Sequence, residues 1–150
     1  MSATRENQLW KWLKKCKNEF RADLTLDRIE NSCMSGMSDV HGSLKHKASF
    51  WIELKTCVAP SDQSTKVKPK FQPAQPGWIR KRLASGDRVF VLLQVGSGGK
   101  AKRFLLDGCY VPQLVKSGMA IADLEAAAIL PPVAFANEII DACATWEFFH

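Results

Sequence analysis

Three charged side chains of the sequence lie within otherwise apolar runs, where charge is unusual. Asp39 belongs to the short run 37–40, and Glu53 and Lys55 belong to the longer run 50–57. Because alternate residues of a strand point to one face, Glu53 and Lys55 project side by side. If the two runs pair as an antiparallel hairpin, Asp39 lies beside Glu53. Burying such charges is costly unless partners or a metal compensate them, and two carboxylates with an ammonium can hold Mg²⁺ and position a water.

The order of motifs around these residues resembles a known group of nucleases. The pattern consists of Gly36-x-x-Asp39, then Glu53-x-Lys55, then Gln75-x-x-Trp78, with Arg28-x-Glu30-Asn31 upstream. It is similar to the PD-(D/E)xK nuclease superfamily, and more narrowly to small phage-type nucleases related to VRR-NUC domains and to four-way (Holliday) junction resolvases. The resemblance covers roughly residues 5–107, and it departs from the family at Ser38, where the family has proline.

This resemblance implies an α/β fold in which helices flank a central mixed β-sheet, the restriction-endonuclease-like core. It implies Mg²⁺-dependent cleavage of DNA, with Mn²⁺ able to substitute because both ions take octahedral oxygen ligands. Asp39, Glu53 and the backbone carbonyl of Leu54 would hold the metal. Lys55 would contact the attacking water or stabilise charge.

The implied substrate is branched DNA, above all the four-way junction. A nicking or end-processing nuclease is one alternative, and a nucleic-acid-binding protein without catalysis is another. The joint presence of Asp39, Glu53 and Lys55 argues against the second, since a site that had lost its activity would not need all three.

A glutamate near the N-terminus is a further candidate for the site. Residues 4–18 are predicted to form a helix with Thr4 as its N-cap, and Glu6 borders the apolar stripe of this helix. In resolvase-like relatives a glutamate on the first helix points at the metal. The resemblance gives this role to Glu6, with Glu19 as a weaker rival. Alternatively, Glu6 only complements the helix dipole.

Two other positions carry polar residues that the resemblance brings toward the metal. Arg28 and Glu30 share a face of a strand predicted at 24–30. Arg28 would contact a phosphate and Glu30 would add an acid, or the two form an ion pair of little energetic value. Gln75 lies at the start of a helix predicted at 74–85. Its amide would orient water or phosphate near the metal. Alternatively, it only forms a hydrogen bond at the helix start.

The charge distribution favours a polyanionic partner. The net charge is +6, but all 21 Lys and Arg lie within residues 1–116 with ten acids, so this part carries +11. We expect DNA phosphates to contact a mobile, proline-bounded loop at 58–73 and the basic helix that follows it. The residues concerned are Lys66, Lys68, Lys70, Arg80, Lys81 and Arg82. Solvated surface lysines and a plain flexible connector are the alternatives.

The remaining segments indicate a single domain. Residues 42–48 are predicted to form the hairpin loop, and Trp51 is more typical of a core aromatic than of a base-stacking platform. From about residue 118 the chain is apolar and acidic. This helical extension either covers the sheet or pairs two subunits into a homodimer, around Ile139, Ile140 and Phe148.

Composition also bears on localisation. No run of 18 apolar residues is present, and lysines interrupt the segment where a signal peptide would be apolar. The five cysteines include no CxxC pair, so neither disulfides nor zinc are expected. We therefore expect a cytoplasmic protein without a membrane partner, located in the host cytoplasm if the chain is phage-encoded.

Overall fold

A five-stranded mixed sheet forms the centre of the fold. The computed structural model describes residues 2–29 and 36–147. The strands lie side by side in chain order: β1 (Leu24–Arg28), β2 (Val40–Leu44), β3 (Ser49–Cys57), β4 (Val89–Val95) and β5 (Lys102–Asp107). The β3–β4 pair is parallel and the other pairs are antiparallel. The predicted α/β class with a central mixed sheet is confirmed.

Helices cover both faces of this sheet. They are α1 (Ser2–Lys14), α2 (Lys17–Phe20), α3 (Gln75–Ala84), α4 (Val111–Lys116), α5 (Ile121–Ala127) and α6 (Ala136–Thr145). One core layer joins α1 and α6 to the face of β3 that carries Phe50, Ile52 and Leu54. The other layer joins α3, α4 and α5 to the opposite face. All seven residues of β4 are buried, as expected for a strand covered on both faces.

The parallel β3–β4 pair determines where polar residues can gather. A parallel pair needs a crossover connection, and here the crossover consists of the irregular segment 58–74 followed by α3. The segment leaves the sheet at the C-terminal end of β3, beyond Lys55, and α3 returns across the face of β3 that carries Glu53. The crossover therefore lies directly over the charged residues of β3.

The N-terminal helix differs from its prediction. It begins at Ser2 and ends at Lys14, so Thr4 lies within the helix and is not its N-cap, and a separate short helix follows. The chain turns at Cys16, whose N–H donates to the carbonyl of Leu13 over 3.3 Å. This tightened end directs both Cys16 and Phe20 toward the core.

The predicted hairpin loop is also shorter in the structure. Gly42, Ser43 and Leu44 continue β2 and pair with β1 and β3, so only residues 45–48 form the connection. From the sequence, Gly42 was assigned to the turn. In the structure it lies within β2, where the absence of a side chain makes room for Phe50. A Cβ at this position would lie 2.4 Å from the Phe50 ring, which fills the space of a side chain.

The C-terminal helix covers the protein's own core. Ile139 is 1% exposed and Ile140 is fully buried against the sheet. Of the two alternatives, these residues therefore cover the sheet and do not form a subunit interface, because they have no surface to offer a partner. Phe148, the third predicted interface residue, lies outside the described residues. No helix in the described ranges is long and apolar enough to cross a membrane.

Candidate active site

The β2–β3 hairpin brings Asp39 to the side of Glu53, as predicted. The register pairs Val40 with Ile52, so Asp39 stands just beyond the end of the paired strands. Its Oδ2 accepts a hydrogen bond from the N–H of Leu54 over 2.9 Å. On its other side, the Asp39 carbonyl accepts from the N–H of Ile29 over 2.7 Å. Asp39 is thus fixed between β1 and β3 with its carboxylate at the edge of β3.

Glu53 is almost completely buried, with 1% of its surface exposed. Its Oε2 accepts a hydrogen bond of 2.5 Å from Gln75 Nε2 and lies 3.2 Å from Lys55 Nζ. Its other oxygen, Oε1, is buried and has no hydrogen-bond partner among the described residues. A buried carboxylate oxygen without a donor is costly and rare. This atom therefore marks a place where a cation would be favourable.

The surroundings of Glu53 disfavour its ionised form. Burial, and after it the neighbouring Asp39 carboxylate, raise the pKa of Glu53 to about 8. The Lys55 ammonium opposes both effects without cancelling them. Buried Glu53, half-buried Asp39 and one ammonium thus share this position, and the Glu53 carboxyl keeps its proton up to about pH 8.

Lys55 is fixed by hydrogen bonds that use its full donor capacity. Besides Glu53, its Nζ reaches the backbone carbonyl of Lys70 at 2.7 Å and Gln75 Oε1 at 3.1 Å. The Phe71 ring centre lies 4.6 Å from the same atom. An ammonium has three donors, so all three are engaged and the side chain is held in one place at the cavity wall.

Gln75 links the opposite charges of the site. Its amide nitrogen donates to Glu53, and its amide oxygen accepts both from Lys55 and from the N–H of Gln72, the latter over 2.8 Å. The hydrogen bond from the Gln72 N–H is the helix-start interaction that was the alternative role for Gln75. The bonds to Glu53 and Lys55 place Gln75 in the site as well.

Glu6 lies at the same site, whereas Glu19 does not. The pKa of Glu6 is raised, chiefly by burial. The charge of Asp39 also raises it, and the charges of Lys55 and Arg28 lower it. These interactions require all three charges to be near the Glu6 carboxyl. Glu19 lines a separate cavity between α1 and α6. Glu30 lies outside the described residues.

A cavity of about 400 Å³ brings these groups together. We call it the acidic cavity, and it is lined by Glu6, Asp39, Glu53, Lys55, Thr56, Lys70, Phe71, Gln72, Pro73 and Gln75. All five residues that the sequence proposed as catalytic, spread over 70 positions of the chain, border this one space.

The donor set fits a hard divalent cation. No group of three His, Cys, Asp or Glu side chains in the described part of the chain converges as metal ligands. Asp39 and Glu53 would therefore act as a pair, which suits Mg²⁺, since this ion keeps several waters and takes one or two carboxylates. Leu54 is consistent with a third ligand. Its N–H points to Asp39, and the N–H and C=O of a strand residue point to the same side.

The predicted phosphate-binding cations fall into two groups. Lys66, Lys68 and Lys70 are exposed beside the acidic cavity, and Arg80 and Lys81 are exposed on α3. In contrast, the guanidinium of Arg82 lies 4.9 Å from the Trp78 ring and 3.3 Å from Asp87, so it is already engaged within the protein.

Two other predicted residues serve packing at least in part. Arg28 is half-buried, with its guanidinium 6.0 Å from the Trp10 ring. Trp51 is half-buried rather than part of the closed core, and its ring meets Trp78 edge-on at 5.1 Å.

The segment 58–74 is attached to the rest of the protein at more points than the sequence predicted. Val67 and Met119 exchange backbone hydrogen bonds of 2.8 and 2.9 Å. The Lys70 carbonyl and the Phe71 ring both contact Lys55. A backbone carbonyl carries no sequence signal, so this contact was beyond prediction, whereas an isolated aromatic at position 71 within a polar loop was a signal that could have been used.

Comparisons with known proteins give a limited result. The sequence matches no protein-family model and no curated protein. Among solved structures, the fold is similar to Hjc, a Holliday junction resolvase from the archaeal hyperthermophile Archaeoglobus fulgidus, with a TM-score of 0.43 and 12% sequence identity. The match covers 76% of this chain and 97% of that one. A similarity at this level does not establish a shared activity.

The raised pKa of Glu53 predicts a pH-dependent stability that one substitution removes. Between the ordinary carboxyl pKa of 4.5 and about 8, folded Glu53 holds a proton that the unfolded chain has lost. The free energy of unfolding therefore contains a contribution that is complete below pH 4.5 and is lost as the pH rises through 8. Glu53→Gln should abolish this decline and make the metal-free protein more stable than wild type at pH 8.

Urea unfolding in EDTA at a series of pH values measures this difference. Glu19→Gln, at an exposed glutamate outside the acidic cavity, is the matched control and should follow the wild-type profile. A Glu53→Gln profile parallel to wild type across the interval would show that Glu53 is not held protonated by its surroundings.

Proposed function

We propose that this protein is a Mg²⁺-dependent endonuclease that hydrolyses phosphodiesters of branched DNA, with the four-way junction as its substrate. The observation that carries the proposal is the Glu53 carboxylate, buried beside Asp39 with one oxygen unpartnered. A purely structural site would gain nothing from burying Glu53 beside a second acid. A site that binds a cation gains affinity from the same arrangement.

The chain's own residues divide the chemistry among them. Asp39, Glu53 and the Leu54 carbonyl would hold the metal, and Glu6 lines the same cavity from α1. The metal, when bound, neutralises charge on the phosphate and activates a water. Lys55 contacts that water or the developing charge on phosphate, and Gln75 positions Lys55 and Glu53 relative to each other. Because the donors of Lys55 are already occupied, the substrate must displace one of its present partners.

DNA contacts are assigned to the exposed cations of the segment 58–74 and of α3. Lys66, Lys68, Lys70, Arg80 and Lys81 are free to reach phosphates, whereas Arg82 supports the Trp51–Trp78 pair and is a weaker candidate. Contacts of this kind give affinity and position but no sequence information. This suits a nuclease that selects the shape of its substrate.

Substitution at the site should separate cleavage from binding. Asp39→Asn, Glu53→Gln and Lys55→Met should each lower the cleavage rate by about 100-fold or more, because each removes a group at the reacting centre. Affinity for a four-way junction should remain, since the exposed cations are unchanged. Cleavage of labelled four-way, flap, single-stranded and duplex DNA, together with gel-shift assays in Ca²⁺, measures both properties.

The matched control is Asp123→Asn, which removes an exposed carboxylate on α5. It should cleave at the wild-type rate. Mn²⁺ should support the reaction in place of Mg²⁺, and EDTA should stop it. Near wild-type cleavage by the Asp39 or Glu53 variant, or efficient cleavage in EDTA, would rule out this mechanism. Binding without cleavage by the wild-type chain would favour the non-catalytic alternative.

Junction resolution also predicts a particular assembly. Two cuts on opposed strands are required, and one chain supplies one set of Asp39, Glu53 and Lys55. We propose a two-fold homodimer, the simplest arrangement that places two sites on one junction. Light scattering at micromolar concentration should give the mass of a dimer, and a supercoiled cruciform should be linearised by paired cuts.

The two measurements distinguish three outcomes. A dimer with paired cuts supports the resolvase assignment. A monomer that makes single nicks favours the nicking alternative. A strict monomer that still makes paired cuts within one binding event would contradict the requirement for two subunits.

A further inference from the structure

A second cavity adjoins the acidic one and has the opposite character. It has a volume of about 440 Å³, and we call it the basic cavity. Its charged lining consists of Arg5, Lys66, Lys68 and Lys70, and no acidic residue of the described chain lines it. The two cavities share Thr56 and Lys70. A group in the basic cavity would thus be a direct neighbour of a group in the acidic cavity.

An unpartnered hydroxyl lies between the two cavities. Thr56 Oγ1 is buried and has no hydrogen-bond partner among the described residues. A hydroxyl can donate to an acceptor as readily as it accepts, and a buried one without a partner is costly. Because four cations line the basic cavity together with Thr56, an anion held there would offer this hydroxyl an acceptor.

The cations of the basic cavity are held by the fold. The Val67–Met119 backbone pair and the Lys70 carbonyl fix the segment that carries the three lysines. Arg5 comes from α1 and approaches from the opposite side. Its position is marked by Cys57, whose thiol pKa is raised by burial and lowered by the nearby Lys55 and Arg5.

The dimensions correspond to one step along a single strand of nucleic acid. Cys57 lies two residues beyond Lys55 on β3, which is about 6.7 Å along the strand. A volume of about 440 Å³ is that of a small-molecule site, which is enough for one phosphate group of a strand. The cavity therefore continues the acidic cavity along one strand.

We propose that the basic cavity is a phosphate subsite, in which Arg5, Thr56, Lys66 and Lys68 bind the phosphate next to the one that the acidic cavity cleaves. The identification of the cleaved phosphate rests on the proposed function, but binding of a phosphate here does not. The subsite fixes the position of the strand, so that one particular phosphodiester meets Glu53 and Asp39.

Thr56→Val provides the sharpest test because it exchanges a hydroxyl for a methyl group of similar size. If the hydroxyl serves only the fold, removal of an unpaired polar group should leave binding unchanged and stability equal or higher. As part of the subsite, the hydroxyl should contribute about tenfold to affinity, as a hydrogen bond to a charged group does. Fluorescence anisotropy with a labelled oligothymidylate in EDTA measures this affinity, and urea unfolding shows that the variant folds.

The exposed lysines give a second variant that does not depend on Thr56. Lys66→Gln/Lys68→Gln should shallow the plot of log K against log salt by about 0.7, the contribution of one phosphate on a single strand. Lys45→Gln/Lys47→Gln is the matched control, since it removes the same charge at the other end of β3. The control should keep the wild-type slope.

A neutral methylphosphonate placed at each position of a four-way junction strand then locates the contact. In wild type, one position next to the cleaved phosphate should weaken binding, and this loss should disappear in the Thr56→Val and Lys66→Gln/Lys68→Gln proteins. Equal losses in all proteins, or slopes equal to that of the control variant, would overturn the subsite. Because affinity is measured in EDTA, failure of the subsite is distinguishable from failure of cleavage.

Discussion

The Glu53 carboxylate lies in the middle of a sheet, where a charge has no access to water, and the site is built around this constraint. One oxygen is satisfied by Gln75 and Lys55, and the other is left without a donor among the described residues. Asp39 adds a second carboxylate where repulsion is strongest. Such an arrangement costs folding free energy. It is consistent with a site whose stability is completed by a bound cation.

The surrounding elements hold this charge cluster in place. The hairpin fixes Asp39 through the N–H of Leu54, and α3 begins at Gln75, which joins Glu53 to Lys55. Lys55 in turn holds the backbone at Lys70, so the side chain that would take part in the chemistry also anchors the basic segment of the crossover. The acidic cavity and the basic segment of the crossover are therefore adjacent in space although their residues are distant in sequence.

Much of this arrangement could be predicted because it depends on strand periodicity. Two apolar runs with charges at alternate positions predict a hairpin that places Asp39 beside Glu53. Gly42 was misassigned to a loop because its packing against Phe50 is a tertiary contact with no local signal. The Lys70 carbonyl and the Thr56 hydroxyl were missed for the same reason. The Lys70 carbonyl accepts from Lys55 and the Thr56 hydroxyl lacks a partner among the described residues, and only the folded chain shows either fact.

Direct measurement of metal binding is the closest test of whether Asp39 and Glu53 hold a divalent cation. Titration of the DNA-free protein with Mn²⁺, followed by the electron paramagnetic resonance of the free ion, counts sites without requiring catalysis. We expect the wild-type protein to bind Mn²⁺ and Mg²⁺ to displace it. The Asp39→Asn and Glu53→Gln variants should lose this binding, and Asp123→Asn should retain it. Equal Mn²⁺ binding by all four proteins, or none by wild type, would show that the buried carboxylates are not a metal site.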